Sequence, residues 1–206
     1  MKRKLVFTFF AVLILNILPL VFNPPLMLHY KTITLSVAAA ILWLSQPLFS
    51  TVEMQHNKQS DKFSILLILI MSSLCVAGSV TEWAYFNENI SEMNSITYLG
   101  LGLLCTGIVL RIWAINVLGR HFTATVRLHK DHSLIKYGPY KYVRHPSYLG
   151  AFIAIMGAPL FLNNLFTIYF CPAAMMVAYW YRINNEERKM IQFFGNDYKA
   201  YQKMTF

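Results

Sequence analysis

The stretch that decides the fold is GRHFTATVRLHKDHSLIKYGPYKYVRHPSYLG, residues 119–150, a long polar passage in a chain that is otherwise mostly apolar. It holds six of the 18 Lys and Arg residues and four of the six His. A loop that is merely solvated needs no turn at Gly138-Pro139-Tyr140. It also needs no Arg144-His145-Pro146 sequence that starts a helix near Ser147. The order within this stretch therefore indicates the floor of a site between two apolar segments.

The composition around this stretch is typical of a membrane protein. Of the 206 residues, 56% are hydrophobic and only 13% are charged, which is too little polar surface to cover a soluble globule. The net charge of +9 would suggest a nucleic-acid partner in a soluble protein, but membrane topology explains it better here. Cys75, Cys105 and Cys171 each fall in an apolar run, and no C-x-x-C or H-x-x-x-H spacing occurs, so we expect no metal site.

Apolar runs of suitable length predict about six transmembrane helices. They cover residues 5–22, 33–49, 63–80, 96–118, 148–162 and 165–181. The basic start Lys2-Arg3-Lys4 is also typical of a signal peptide, but no small-x-small cleavage site follows, so a first membrane helix is favoured. The fold class expected is an all-α polytopic membrane bundle. Four spans in residues 1–118 precede a cofactor-binding catalytic region in residues 119–206.

Two local features of these runs carry further expectations. After the third run, Glu82, Glu88 and Glu92 are expected in an acidic loop bordered by interfacial aromatic residues. Gly100, Gly102 and Gly107 resemble a dinucleotide fingerprint, but no strand precedes them. Glycines in a membrane helix commonly serve close helix packing instead.

The last two apolar runs are separated only by Asn163-Asn164 and predict a tight helical hairpin. Pro159 and Pro172 favour tilted or broken helices within it. The tail, residues 182–206, is polar with a helical pattern. Its apolar stripe of Phe194, Tyr198 and Tyr201 suits the membrane surface or the hairpin.

The distribution of basic residues predicts the orientation. With six crossings, 16 of the 18 Lys and Arg residues fall on one side, the exceptions being Lys31 and Arg111. This bias places residues 119–150 and both termini in the cytoplasm. In this interpretation the protein resides in the plasma membrane if its source is a prokaryote and in the endoplasmic reticulum if its source is a eukaryote. Arg111 either snorkels or lines a path for an acceptor, and the sequence does not decide between these.

The hairpin places two groups of polar residues at the same end of its two helices, and therefore at the same depth in the membrane. One is Arg144, His145 and Tyr148 before and within the first helix, and the other is Arg182, Glu186 and Glu187 after the second. Charges at the hydrocarbon boundary are costly unless they are paired or used, which makes both groups candidates for a site. The competing interpretation is that the arginines are snorkelling anchors and that Glu186 pairs with Lys189 on a solvated helix face.

Five motifs in order favour the site. They are H-S-L-I at 132–135, G-P-Y at 138–140, R-H-P-S-Y-L-G at 144–150, R-x-x-x-E-E at 182–187 and F-F-G-x-x-Y at 193–198. In this order they resemble the isoprenylcysteine carboxyl methyltransferase family, over roughly residues 119–201. The resemblance implies a membrane enzyme that uses S-adenosylmethionine and a lipophilic or membrane-delivered acceptor, most simply the carboxylate of a prenylated cysteine.

The resemblance also implies site residues, carried over position by position. The catalytic group would be Arg182, Glu186 and Arg144, with Arg182 facing the acceptor carboxylate. The role of Arg127 stays open. The cofactor would contact His132, Ser133, Leu134, Ile135, Gly138, Tyr140, His145, Pro146, Ser147, Tyr148 and Glu186.

Other functions stay open from the sequence. A related methyltransferase could modify a lipid amine or a small thiol, and a sterol-reductase-type enzyme would share a similar core but bind NADPH. A non-enzymatic membrane subunit would bind neither cofactor. The sequence does not indicate an oligomeric state.

Overall fold

The computed structural model describes residues 2–46, 59–88, 90–122 and 134–205, and these are helical or irregular, with no strand. Three helical segments are long and apolar enough to cross a membrane: Arg3–Leu20, Lys62–Phe86 and Ser95–Leu118. Two further apolar helices, Tyr30–Ser45 and Pro146–Phe161, are shorter. The prediction of an all-α protein with membrane-spanning helices is confirmed, whereas the count of six crossings stays a prediction.

Seven α-helices follow one another along the described parts of the chain. Helix α1 is Lys2–Val12 and continues through a π-helical turn, Leu13–Ile17, and a 3₁₀ turn, Leu18–Leu20. Helix α2 is Tyr30–Ser45, α3 is Gln59–Phe86 and α4 is Ser95–Leu118. Helix α5 is Pro146–Phe161, α6 is Thr167–Phe194 and α7 is Asn196–Met204. Short 3₁₀ turns occur at Pro24–Leu28, Gly119–His121 and Gly138–Lys141.

Helices α4 and α5 approach each other so closely that their backbones touch through glycines. A Cβ atom on Gly107 would lie 2.5 Å from the Gly150 carbonyl oxygen, and one on Gly150 would lie 2.6 Å from the Arg111 nitrogen. Gly100 is equally enclosed by the end of α5, whereas Gly102 faces open space. The prediction of a packing role is therefore confirmed for Gly100 and Gly107 and wrong for Gly102. This contact fixes the Arg111 segment of α4 against the start of α5.

Helix α3 is longer than the sequence suggested, and the expectation that Glu82 lies in a loop is wrong. The helix continues to Phe86, and Glu82 is only 8% exposed. Its Oε1 accepts hydrogen bonds from the backbone N–H groups of Leu165 and Phe166 at 2.6 and 2.8 Å. Its Oε2 accepts from the N–H and the hydroxyl of Thr167 at 2.8 and 2.7 Å. The first N–H groups of a helix have no partner within it, so a carboxylate from α3 caps α6.

Helix α6 also extends beyond its apolar run. The sequence suggested a run to Tyr181 with a separate tail, but the helix is unbroken from Thr167 to Phe194 and includes Pro172. It ends at Gly195, whose φ of 57° lies in the left-handed region that glycine adopts easily. Arg182 and Glu186 therefore lie on one continuous helix, and the expectation of a broken helix at Pro172 is wrong.

The turn between α5 and α6 keeps these helices antiparallel. Asn163 adopts a φ of 58°, and the Asn164 amide nitrogen donates to the Ser79 carbonyl and the Thr167 hydroxyl, both at 2.9 Å. The end of the bundle with this turn is called the far end below. The opposite end, where α5 begins and α6 leaves the bundle, is called the site end.

Candidate functional site

At the site end, the start of α5 lies beside the middle of α6. The Tyr148 hydroxyl donates a 2.6 Å hydrogen bond to Glu186 Oε1, and Arg182 Nε donates to the same hydroxyl at 3.1 Å. The two polar groups separated by the hairpin therefore meet. The prediction that the hairpin brings Tyr148 and Glu186 together is confirmed, whereas their sharing of a cofactor pocket stays a prediction.

Arg182 is buried in this network at 3% exposure. Its Nη2 forms an ion pair with Glu186 Oε1 at 2.9 Å, one turn further along α6. Its Nη1 donates to the Ser64 hydroxyl of α3 at 3.1 Å. Glu186 thus supplies the negative charge that a buried guanidinium needs. The alternative in which Glu186 pairs with Lys189 is not the arrangement seen.

His145 lies between two carboxylates at the start of α5. Its Nδ1 is 3.6 Å from Glu186 Oε2, its Nε2 is 3.2 Å from Glu187 Oε1, and its ring stacks on Tyr148 with centroids 5.8 Å apart. Within the described parts of the chain, no three His, Cys, Asp or Glu side chains form a group that could hold a metal. The imidazole is hydrogen-bonded to Glu187 and lies within ion-pair distance of Glu186.

Arg144 points to the tail rather than to this pocket. Its Nε contacts Glu187 Oε1 at 2.7 Å, and its Nη1 donates to the carbonyls of Gln202 and Thr205 at 3.3 and 2.8 Å. Gln202 Nε2 donates to the other oxygen of Glu187 at 3.0 Å. These bonds fasten α7 to the start of α5. The structure therefore separates Arg144 from Arg182 and Glu186, with which sequence reasoning grouped it.

Glu187 makes the fastening of the tail dependent on pH. The hydrogen bond with His145, reinforced by Arg144, lowers the pKa of Glu187 from the ordinary 4.5 to about 2. A depressed pKa means that the unfolded chain takes up the proton first, so the stabilisation is complete above 4.5 and is lost as the pH falls toward 2. We expect thermal unfolding in detergent to show a steeper loss of stability through this window for the wild type than for Glu187→Gln. Equal slopes for the two proteins would contradict this assignment.

The Gly138–Lys141 turn packs between α4 and α7. Gly138 has a φ of 61°, and a Cβ atom there would lie 3.1 Å from the Val117 side chain. Tyr140 is buried, its hydroxyl donates to the Ala114 carbonyl at 3.4 Å, and burial raises its pKa. The Tyr201 hydroxyl donates to the Tyr140 carbonyl at 2.6 Å. The aromatic stripe of the tail thus lies on the protein at this turn.

Of the remaining residues suggested by the motifs, some lie near the site and others lie outside the described residues. Leu134 and Ile135 are half-buried just before the turn, and Pro146 and Ser147 form the first buried turn of α5. His132 and Ser133 lie outside the described residues, as does Arg127.

Arg111, whose role the sequence left open, is a buried cation at the site end. It is 4% exposed, its Nη1 donates to the carbonyl and the hydroxyl of Ser147 at 2.9 and 3.0 Å, and its Nε donates to the Ser45 hydroxyl at 3.4 Å. Among the described residues no acidic side chain forms an ion pair with it. A guanidinium held by neutral groups alone is a costly arrangement in an apolar interior. An arginine inside an apolar run was the only sequence signal for it.

A cavity of about 430 Å³ lies behind these arginines. Helices α1 to α6 all contribute to its wall, which is mostly apolar. Its polar residues at the site end are Arg3, Lys4, Gln46, Arg111, Ser147, Tyr148 and Arg182. An apolar chamber that ends in two buried guanidinium groups suits a molecule with a lipophilic body and an anionic head.

The fold and the site together define a class: a helical integral-membrane protein whose apolar cavity ends in a buried cationic pocket at one end of the bundle. Comparison with known proteins narrows this class. The family model described as "Isoprenylcysteine carboxyl methyltransferase (ICMT) family" matches residues 100–192. The chain belongs to the isoprenylcysteine carboxyl methyltransferase family, as the motif order in the sequence suggested.

Relatives named protein-S-isoprenylcysteine O-methyltransferase carry this assignment. The protein from Schizosaccharomyces pombe is 38% identical over 105 residues, and that from Dictyostelium discoideum is 35% identical over 149 residues. These alignments span 50% and 71% of this chain but only 44% and 60% of the two relatives. A probable protein-S-isoprenylcysteine O-methyltransferase from Oryza sativa subsp. indica is 31% identical over 152 residues, which are 71% of this chain and 79% of the relative.

A solved structure has the same fold. It is the structure of the eukaryotic intramembrane Ras methyltransferase ICMT without a monobody, at a TM-score of 0.57 and 23% identity. The match covers 100% of this chain and 84% of that one. At this identity the likeness concerns the arrangement of the helices.

Proposed function

We propose that this protein transfers a methyl group from S-adenosylmethionine to a carboxylate at the head of a lipophilic acceptor, of which the carboxyl group of a prenylated cysteine is the best candidate. Membership of the family and the names of the relatives support the reaction and the acceptor. The cavity supports a lipophilic body for that acceptor. Residues 1–118 would form most of this acceptor chamber, and residues 119–206 would hold the cofactor.

The observation that carries the choice of a carboxylate is the pair of buried arginines on the cavity wall. Arg182 is already neutralised by Glu186, whereas Arg111 has only hydroxyl and carbonyl partners among the described residues. A carboxylate bound beside Arg111 would supply the missing negative charge. A lipid amine or a neutral thiol would leave Arg111 uncompensated, so these alternatives have less support.

The side chains near Tyr148 and Glu186 have the charge and hydrogen-bonding groups that S-adenosylmethionine requires. S-adenosylmethionine supplies an electrophilic methyl on a sulfonium and also carries an amino group and a ribose diol. Glu186 is a partly exposed carboxylate beside His145, and carboxylates are suitable acceptors for both of those groups. The other residues that we assign to cofactor binding are His132, Ser133, Leu134, Ile135, Gly138, Tyr140, Pro146, Ser147 and Tyr148. Arg144 would be a positioning residue for this cofactor-binding segment, because it holds the tail against the start of α5.

The work of the protein is then positioning and exclusion of water. A carboxylate is ionised at neutral pH and needs no general base, so no residue has to remove a proton. Arg111 and Arg182 would orient the carboxylate, and the apolar wall would keep water away from the reacting groups. Neutralisation of opposite charges in a dry site lowers the barrier relative to water.

The distribution of basic residues supports the orientation that goes with this function. With the site end facing the cytoplasm, both termini lie on the same side, and 16 of the 18 Lys and Arg residues do so as well. Six crossings satisfy this arrangement. The protein would meet its cofactor from the cytoplasm and its acceptor from the membrane lipids.

Two substitutions on α6 test the division of roles. We expect Arg182→Ala to lower methyl transfer to a carboxylate acceptor by about a hundredfold while changing the affinity for S-adenosylhomocysteine by less than about tenfold. Glu186→Ala should weaken S-adenosylhomocysteine binding more than it lowers the rate at saturating cofactor. Tritiated-methyl transfer to an S-prenylated cysteine and calorimetry measure the two effects.

The matched control is Arg188→Ala, an exposed arginine on the same helix, which should change neither quantity more than about twofold. Small and equal effects of Arg182→Ala and Glu186→Ala would remove both residues from the site. Binding of NADPH in place of S-adenosylhomocysteine would refute the proposed function and favour a reductase.

A further inference from the structure

The length of the cavity can be measured along helix α5, from the arginine to the far end. Its wall includes Ser147, which accepts the hydrogen bonds of the Arg111 guanidinium group, and Ala158 on the same helix. Ala158 follows Ser147 by about three turns, which is a rise of about 16 Å at about 1.5 Å per residue. The cavity therefore extends at least this far from the buried guanidinium group.

Helix α3 gives a second measurement. Ser64 accepts a hydrogen bond from Arg182, and Ser79, about four turns further along α3, also lines the wall. The rise between these two serines is about 22 Å. The part of the wall formed by Ser79 and Ala158 is called the deep end below, and it lies about 16–22 Å from the guanidinium groups.

Packed side chains close the cavity beyond the deep end. Trp83 and Phe161 follow Ser79 and Ala158 by about one turn of their helices, and they are 0% and 1% exposed. They belong to one buried apolar cluster, and neither of them is part of the cavity wall. A tail that reaches the deep end therefore meets the core of the protein.

The bulk of two side chains determines where the deep end lies. Helix α5 contributes Ala151, Ala154 and Ala158 to the wall, and these small residues leave room beside the helix. A Cβ atom on Gly157 would lie 2.6 Å from the backbone nitrogen of Leu104, so Leu104 of α4 lies at the level of Ala158. Leu104 also lines the cavity and is 4% exposed.

These dimensions can be compared with prenylated cysteines of different lengths. With three isoprene units, the distance from the carboxyl carbon to the last carbon is about 18 Å at about 1.2 Å per bond of extended chain. Two units give about 13 Å and four units about 23 Å. At the packing density of a protein interior, an isoprene unit needs about 120 Å³, so that three units need about 360 Å³ and four about 480 Å³. The cavity holds about 430 Å³.

We propose that the deep end limits the acceptor to a tail of three isoprene units and that Ala158 is the residue that sets this limit. This inference rests on the proposed function and names the acceptor more closely. A shorter tail leaves apolar wall without a partner, and a longer tail has to displace packed side chains of the core. Ala158 is thus a residue that determines specificity and takes no part in the methyl transfer.

The test uses S-prenylated cysteines with two, three and four isoprene units. Their binding to the purified protein in detergent is measured with S-adenosylhomocysteine present, and methyl transfer is measured separately. Partition of the acceptors into detergent also depends on tail length, so each variant is compared with the wild type in the same detergent. The wild type should bind the acceptor with three units about tenfold more tightly than the one with four units.

Two substitutions at the deep end should move this preference in opposite directions. Ala158→Phe fills about the length of one isoprene unit, so it should weaken binding of the acceptor with three units by about tenfold and leave that with two units within about twofold. Leu104→Ala creates space at the same level and should remove most of the discrimination against four units. Loss of packing alone cannot improve the binding of a longer tail.

The matched control is Met156→Phe on the same helix. Met156 is half-buried and is not part of the cavity wall, so the same added ring should leave the length preference unchanged. Binding of S-adenosylhomocysteine by all three variants shows that they are folded.

Each outcome supports or overturns the proposal. A preference that moves to two units in Ala158→Phe and towards four units in Leu104→Ala supports it. Equal binding of three and four units by the wild type, an unchanged preference in Ala158→Phe, or no binding of any of the acceptors would overturn it. Binding with the expected preference but without methyl transfer would refute the proposed function and leave the length limit in place.

Discussion

Replacing Arg111 by glutamine is expected to lower kcat/KM for methyl transfer to a carboxylate acceptor by about a hundredfold or more. Glutamine retains a hydrogen-bond donor for Ser147 but loses the positive charge that lacks an acidic partner among the described residues. The acceptor carboxylate would then enter an apolar cavity with one guanidinium fewer to compensate it. Arg111→Lys keeps the charge without the planar fork and should retain an intermediate activity.

Calorimetry with S-adenosylhomocysteine separates this effect from a structural one. Cofactor affinity should fall much less than methyl transfer in Arg111→Gln, because glutamine keeps a hydrogen-bond donor for Ser147 and the ion pair of Glu186 is with Arg182. An Arg111→Gln protein that transfers methyl groups within a few-fold of the wild type would contradict the assignment of the carboxylate to this residue.

The second large effect is expected on stability, from Gly107→Val. The added side chain would begin 2.5 Å from the Gly150 carbonyl oxygen and 2.9 Å from the Ala154 Cα atom, which are backbone atoms that cannot rotate away. Helices α4 and α5 would have to separate along their whole contact. Overpacking of a rigid site costs about 1–3 kcal/mol, and we expect the upper part of this range or more because backbone has to move.

Gly102→Val is the matched control, since it lies on the same helix with open space around the position. It should unfold within about 0.5 kcal/mol of the wild type, because it removes a helix glycine without creating a clash. Unfolding is followed by Trp fluorescence in detergent. Equal stabilities of the two variants would mean that the close approach of α4 and α5 is not essential.

The predictions for Arg111→Gln and Gly107→Val both depend on the close contact between α4 and α5. A Cβ atom on Gly150 would lie only 2.6 Å from the backbone nitrogen of Arg111, so the close packing of α4 and α5 also fixes the guanidinium beside Ser147. Loss of the packing should therefore displace the cation from the cavity wall. Gly107→Val is expected to lose activity at temperatures at which it is still folded.

Part of the site followed from the sequence because it depends on chain connection. The short Asn163-Asn164 link between two apolar runs forces Tyr148 and Glu186 to one end of the bundle, and they do form a 2.6 Å hydrogen bond. The spacing of Arg182 and Glu186 makes them neighbours on any helix, and they form an ion pair. Such relations hold whatever the neighbouring helices do.

Other placements did not follow from the sequence, because they depend on partners distant in the chain. Glu82 follows an apolar run and is followed by aromatic residues, which suggested a loop, but it caps a helix that begins 85 residues later. Arg144 has the sequence context of a catalytic arginine, yet it contacts the tail at Gln202 and Thr205. No local pattern distinguishes a charge that is paired across the fold from one that is available to a substrate.

By itself, the sequence determined that the chain is a helical membrane protein, which motifs it carries and which helix ends meet, because hydropathy and short links act locally. Only the tertiary structure decided that Arg111 is a buried charge without an acidic partner among the described residues. Arg182 finds Glu186 one turn along its own helix, whereas the close packing of α4 against α5 places Arg111 beside the carbonyl and the hydroxyl of Ser147. Burial makes that difference matter, because a charge removed from water has to find its partner in the protein or in the ligand.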